Sequence, residues 1–226
     1  MVLKNIPAIA VVLTDKDVFS LSEEDLKGAD LIELRVDMFS QIENIEDIFA
    51  LAKRKYGLPL LCTVRLPSEG GKKEIKNRLN IYENVIHFCS FFDIEIFSDE
   101  VFLLKKLIDG SDISLIGSYH NFINTPSLED LEKIFEKAKF LDIDIIKIAT
   151  MVKEEKDLEK LLYFTIKHKN DKVIVLGMGQ KGIPSRIINP VFGSIITYAS
   201  LTEASAPGQI HLKDILHIFK VIGLRN

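Results

Sequence analysis

The chain has 226 residues, 47% of them hydrophobic and 27% charged. That is the balance of an ordinary globular protein, and it excludes disorder, collagen and a disulfide-stapled mini-protein. Its 29 Lys and Arg stand against 33 Asp and Glu, a net charge of −4, so there is no electrostatic case for nucleic acid or an anionic membrane as partner.

Short runs rich in Ile, Val and Leu recur at 8–13, 31–36, 59–64, 91–96, 114–119, 143–148, 172–176 and 194–198. The spacing averages about 27 residues, the size of one strand-plus-helix unit. Runs of this composition suit strands buried on both faces of a parallel sheet. Helix patterns fill the gaps. Residues 45–55 carry Ile45, Ile48, Phe49 and Ala52 on one face, with Gly57 as the stop. Ser127-Leu-Glu-Asp130 reads as a capping box, followed by Leu131, Ile134, Phe135 and Ala138 at helical spacing. Residues 156–167 repeat the pattern, and a last helix is predicted over 212–222. No apolar run nears the ~18 residues of a membrane helix. The start, Met1-Val2-Leu3-Lys4-Asn5, lacks the regions of a signal peptide. A cytoplasmic protein is expected, with Cys62 and Cys89 as buried thiols and no disulfide or metal pair between them.

Eight even units with no linker over residues 1–226 predict one domain, either a doubly wound open sheet or a (β/α)8 barrel. The charged positions decide for the barrel. Alternate residues of a strand share a face. In 31–37 that puts Glu33, Arg35 and Asp37 on one side and Ile32, Leu34 and Val36 on the other. In 91–97, Asp93 and Glu95 oppose Phe92, Ile94 and Ile96. Arg65, His120 and Lys147 lie near the ends of the third, fifth and sixth strands. Unpaired buried charge is costly, and a barrel would gather these groups at its upper interior, where such enzymes keep their active sites.

Arginine is scarce, six residues in all, yet Arg35, Arg65 and Arg186 fall at or just after strand ends. The planar fork there suits carboxylate or hydroxyl recognition. Of five histidines only His120 ends a strand. No His/Cys/Asp cluster has zinc-like spacing. Lys147 sits within an Ile-rich strand; it is either a snorkelling lysine or a nucleophile whose pKa desolvation and neighbouring cations would lower, freeing the amine for attack on a carbonyl. Gly177-Met-Gly179-Gln-Lys-Gly182 matches G-x-G-x-x-G, but Pro184 and Pro190 interrupt the segment after it. A dinucleotide site needs an uninterrupted helix there, so these glycines are read as a tight turn over the barrel mouth.

Taken in order, Glu33-Leu-Arg35-Val-Asp37, Thr63-Val-Arg65 with Glu69-Gly-Gly71, Asp93-Ile-Glu95, Ser118-Tyr-His120, Lys147-Ile-Ala-Thr150, Gly177-Met-Gly179 with Ser185-Arg186, and Ala204-Ser-Ala-Pro-Gly-Gln209 resemble the blocks of the type I 3-dehydroquinate dehydratases. The resemblance implies a (β/α)8 barrel, often dimeric, with no metal or cofactor. It implies Lys147 as the imine-forming lysine, His120 as the general acid–base and Glu95 as the carboxylate partnering that histidine. It further implies that Glu33, Arg35 and Arg65 grip ring hydroxyls, that Arg186 holds the substrate carboxylate, and that Ser205 and Gln209 belong to a mobile loop after the eighth strand. Two other readings stay open from the residues: a class I aldolase on the same kind of barrel, and a barrel that only binds a metabolite or partner. The segment 202–211, with Pro207 and Gly208 and no periodic apolar face, is expected to be a lid.

Overall fold

In the computed structural model the described residues are 3–201 and 206–225. Eight strands alternate with helices: β1 (Ala8–Leu13), β2 (Leu31–Arg35), β3 (Leu60–Thr63), β4 (Phe91–Glu95), β5 (Ser114–Asn121), β6 (Ile145–Met151), β7 (Val173–Met178) and β8 (Ile196–Ser200). The connecting helices are α1 (Asp15–Ser20), α2 (Ile45–Tyr56), α3 (Arg78–Val85), α4 (Val101–Ile108), α5 (Leu128–Phe140), α6 (Glu155–Lys167) and α7 (Ser185–Phe192), with α8 (Leu212–Val221) last. A two-residue strand, β9 (Ile210–His211), precedes α8.

Neighbouring strands pair in parallel in the order β7-β6-β5-β4-β3-β2-β1-β8-β9. The eighth strand therefore returns to the first, with Ala8 opposite Ile196 and Ala10 opposite Tyr198. At the seam between β7 and β8 the Ile195 N–H donates to the Val173 carbonyl at 2.9 Å. This is the (β/α)8 architecture that the charge pattern predicts. The strand cores fall where the apolar runs lie. β5, β6 and β7 reach two to three residues further toward their C-terminal ends than those runs, so His120 lies within β5. Hydrophobicity could not mark most of that extension, because His120, Asn121, Thr150 and Gly177 are not apolar.

Two apolar layers follow from strand alternation. Ile32, Leu34, Val36, Phe92, Ile94 and Ile96 pack outward beneath the helices. Leu31, Leu61, Phe91, Ile116, Ile145 and Ile174 fill the lower interior. The next inward positions up the barrel are Glu33, Asp93, Glu95 and Lys147, all buried. The helices form for the reasons their sequence gives. The Ser127 hydroxyl caps α5 by accepting from the Asp130 N–H at 3.1 Å. α7 contains Pro190, which cannot donate to the Arg186 carbonyl four residues back. The Thr197 hydroxyl of β8 donates to that carbonyl instead, at 2.9 Å. The proline thus ties the Arg186 backbone to the barrel wall.

The segment expected as a lid is anchored at one end. Ile210 and His211 pair with Ala199 and Ser200, so the last two residues of that stretch are strand. Gly208, at φ +78°, lies so close to β7's exit that a Cβ would stand 2.5 Å from the Gly179 carbonyl oxygen. The Gly179 N–H donates to the Pro207 carbonyl at 3.2 Å. The glycine-rich turn after β7 thereby holds 206–209 against the mouth. Among the described residues, no helix is long and apolar enough to cross a membrane, and no group of three or more His, Cys, Asp or Glu is placed to hold a metal ion.

Candidate active site

A cavity opens at the C-terminal ends of the strands and is lined by Glu33, Arg35, Arg65, Glu69, His120, Lys147, Arg186, Tyr198 and Gln209. Ser205 lies outside the described residues. Glu95 is not among the lining residues.

Lys147, 4% exposed, is fixed from three sides. Its Nζ lies 3.2 Å from Asp93 Oδ2 and 3.5 Å from Glu33 Oε1, and 4.3 Å from the centroid of the Tyr198 ring. Burial opposes the ammonium, but the Glu33 and Asp93 carboxylates outweigh it and raise the lysine pKa above its ordinary value. This reverses the lowered pKa expected from sequence. Hydrophobicity had marked the strand as dry, but the two carboxylates come from other strands. In the empty site the lysine is therefore a held ammonium, and it needs a proton acceptor before it can attack.

The acceptor nearby is neutral. Burial, with the Arg65 and Lys147 cations, holds the His120 pKa well below its ordinary value. Its Nδ1 lies 3.0 Å from Glu69 Oε2, which also accepts the His120 backbone N–H at 2.8 Å. Burial, despite Arg65, raises the Glu69 pKa to about 7. Below that pH Glu69 is protonated and no longer offers the carboxylate that would stabilise an imidazolium at His120. Glu69 ends a short 3-10 turn that Gly70 closes at φ +86°. The Phe122 ring packs onto Gly70 so closely that a Cβ there would meet it at 2.4 Å.

Glu95 is not the histidine's partner. Its Oε1 accepts from Arg65 Nη1 at 3.0 Å and from the Leu66 N–H at 2.9 Å, and its Oε2 accepts from Arg78 Nη1 at 2.7 Å. The register explains this. Glu95 stands opposite Ser118, two residues below His120 on β5, and both of its oxygens are taken by guanidinium groups. The carboxylate at His120 comes from a loop, where strand alternation carries no information. Arg78 was also beyond the sequence reading. It opens a helix just after Lys72, Lys73 and Lys76, yet it is 3% exposed and binds Glu95, Ser98 and Glu100.

Arg65 spans the site floor, donating to Asp93 Oδ1 at 2.7 Å and to Ser118 Oγ at 2.6 Å as well as to Glu95. Arg35 forms a bidentate pair with Asp37, 2.8 Å on each arm. Arg186 differs from both. It is 1% exposed, and its only contacts among the described residues are backbone carbonyls, Tyr198 at 3.5 Å and Pro207 at 3.3 Å. Its Nε has no hydrogen-bond partner there. Burial lowers its pKa to about 10. A buried guanidinium with no carboxylate partner among the described residues, beside a cavity, is suited to receive an anion.

The comparisons agree with this geometry. The family model for type I 3-dehydroquinase matches residues 8–226. The chain is 72% identical over 225 residues to the 3-dehydroquinate dehydratase of Thermodesulfovibrio yellowstonii, covering 100% of both chains. It is similar in structure to the 3-dehydroquinate dehydratase of Geobacillus kaustophilus, with a TM-score of 0.89 at 25% identity over 98% of this chain and 96% of that one. It is also similar to the type I enzyme of Clostridium difficile, whose structure carries covalently modified comenic acid, with a TM-score of 0.86 at 28% identity over 97% and 93% of the two chains. The chain belongs to the type I 3-dehydroquinase family, a family of hydro-lyases.

Proposed function

We propose that this chain dehydrates 3-dehydroquinate to 3-dehydroshikimate through an imine on Lys147, with His120 moving the protons. The observation that carries the reading is one cavity holding a buried lysine, a neutral histidine and an arginine with no counter-ion among the described residues. The family membership and the covalently modified ligand of the Clostridium difficile relative support it.

Arg186 receives the substrate carboxylate, and Glu33, Arg35 and Arg65 face the ring hydroxyls, so that the ketone meets Lys147. His120 takes one proton from the ammonium. The nitrogen lone pair forms the C–N bond, the carbonyl π pair moves to oxygen, and that oxygen leaves with two protons as water. An ammonium and a ketone have become a protonated imine and water, with no net proton gained or lost. The imine draws electrons from the neighbouring carbon, and His120 removes its proton to give an enamine. The enamine pair then expels the β-hydroxyl, which departs as water with the proton from His120. Hydrolysis frees the product and Lys147. Glu69 steadies the imidazolium each time it forms.

The same reading takes residues 1–226 as one catalytic domain, cytoplasmic and homodimeric. Ile188, Val191 and Phe192 are exposed along α7 and offer an apolar face for the second copy. The test is direct. The purified protein should generate the conjugated enone absorbance of the product from 3-dehydroquinate, and Lys147→Ala should not. Full activity in Lys147→Ala would overturn the assignment.

A further inference from the structure

Tyr198 lines the cavity, and its polar atom has no use in the scheme above. It sits inward on β8 opposite Ala10, 3% exposed, between two groups of different purpose. Its backbone carbonyl accepts from Arg186 at 3.5 Å, and its ring lies 4.3 Å from the Lys147 ammonium. The phenol Oη is buried and has no hydrogen-bond partner among the described residues. Lys147 is near enough to act on Oη as a charged hydrogen-bonding neighbour, but it stands over the ring face and the contact falls short of ordinary hydrogen-bond geometry. A buried hydroxyl left unpaired costs stability. A hydroxyl kept at that cost, on the wall of a cavity, is matched to a partner that arrives with the ligand.

Resting on the imine reading above, we propose that Tyr198 is a further catalytic residue, its Oη–H donating a hydrogen bond to the substrate's ketone oxygen while Lys147 adds to the carbon. Lys147 fixes where that carbon must come, and Tyr198 is the donor packed against Lys147. Arg65 is already committed to Asp93, Glu95 and Ser118. When the C–N bond forms, the carbonyl π pair moves onto oxygen. A donor already aimed there stabilises the charge without reorganising. The phenol keeps its proton throughout, held by burial above the ordinary range. The oxygen's protons come from Lys147 and His120 as written above, so the balance of the step is unchanged. Because imine hydrolysis retraces the same path, the donor also serves the release of product. The aromatic ring alone would be a packing element; the hydroxyl adds a function.

The test uses Tyr198→Phe in the full chain, which keeps the ring and removes one atom. Single-turnover mixing with 3-dehydroquinate, quenched with borohydride at intervals, gives the rate of adduct formation by intact mass. The account expects that rate to fall roughly tenfold or more, with KM changed less than kcat, and with a melting temperature equal to or above that of the parent because an unpaired buried hydroxyl has gone. Adduct formation at the parent rate would overturn the proposal. A clearly lower melting temperature would overturn it too, since Oη would then have a structural partner in the free protein. If the unaltered protein forms no adduct at all, the imine reading itself fails, and that result is distinct from a slow variant beside a normal parent.

Discussion

Glu69, partly buried, and Glu95, fully buried, are both acids near the site, and they should fail in different ways. Glu69→Gln preserves shape but replaces a charge-assisted contact at 3.0 Å to His120 Nδ1 with a neutral one. A hydrogen bond to a charged group is worth ~1.5–3 kcal/mol. That difference is felt only when the imidazolium forms, so kcat should drop by roughly 10- to 150-fold, with little change in KM or folding. Glu95→Gln instead breaks contacts to Arg65 and Arg78. Removing one partner of a buried ion pair costs ~3–5 kcal/mol. For a domain of this size that lowers the melting temperature by roughly 6–20 °C. Steady-state dehydration and thermal unfolding on both variants decide the matter. A Glu69→Gln protein with normal kcat, beside a Glu95→Gln protein that is stable but inactive, would refute the reasoning and return the histidine's partner to Glu95.

The pH profile of kcat/KM should show activity lost as pH falls through about 7, because the raised Glu69 pKa puts proton uptake by the dyad there; in Glu69→Gln that limb should move to lower pH, since burial and the cations still depress His120. Arg186→Lys keeps the charge but loses the fork, so KM for 3-dehydroquinate should rise sharply, while borohydride reduction with a small ketone lacking a carboxylate should still label Lys147. Gly208→Ala puts a Cβ at a left-handed φ and 2.5 Å from the Gly179 oxygen; it should weaken substrate binding by unseating 206–209, and an unchanged KM would show that this contact is dispensable. Light scattering should return the mass of a dimer, and a monomer at micromolar concentration would remove that part of the proposal.

The fold was legible because it is written in two periods. Apolar runs about 27 residues apart give the units, and alternation within 31–37 and 91–97 puts charge on the inner face, as Glu33, Asp93 and Glu95 confirm by their burial. The site was legible where a residue violates its surroundings, as Lys147 does in an Ile-rich strand. It was illegible where the decisive neighbour arrives from elsewhere in the chain. Glu69 sits in a turn with no periodicity. Asp93 and Glu33 reverse the pKa direction of a lysine two to four strands away. Tyr198 reads as one more aromatic of a buried strand until its hydroxyl is seen to lack a hydrogen bond of ordinary geometry among the described residues. These are facts of three-dimensional juxtaposition, and no local pattern encodes them.

The most direct measurement is the intact mass of the protein after borohydride reduction in the presence of 3-dehydroquinate. The unaltered chain should gain one covalent adduct, and Lys147→Ala should gain none, since no other lysine among the described residues lines the cavity. His120→Ala should still be trapped, mainly as the substrate adduct, which is heavier than the product adduct by one water, because no base is then positioned to remove the α-proton. A Lys147→Ala protein that still labels, or a His120→Ala protein that accumulates the product adduct at the parent rate, would contradict the account.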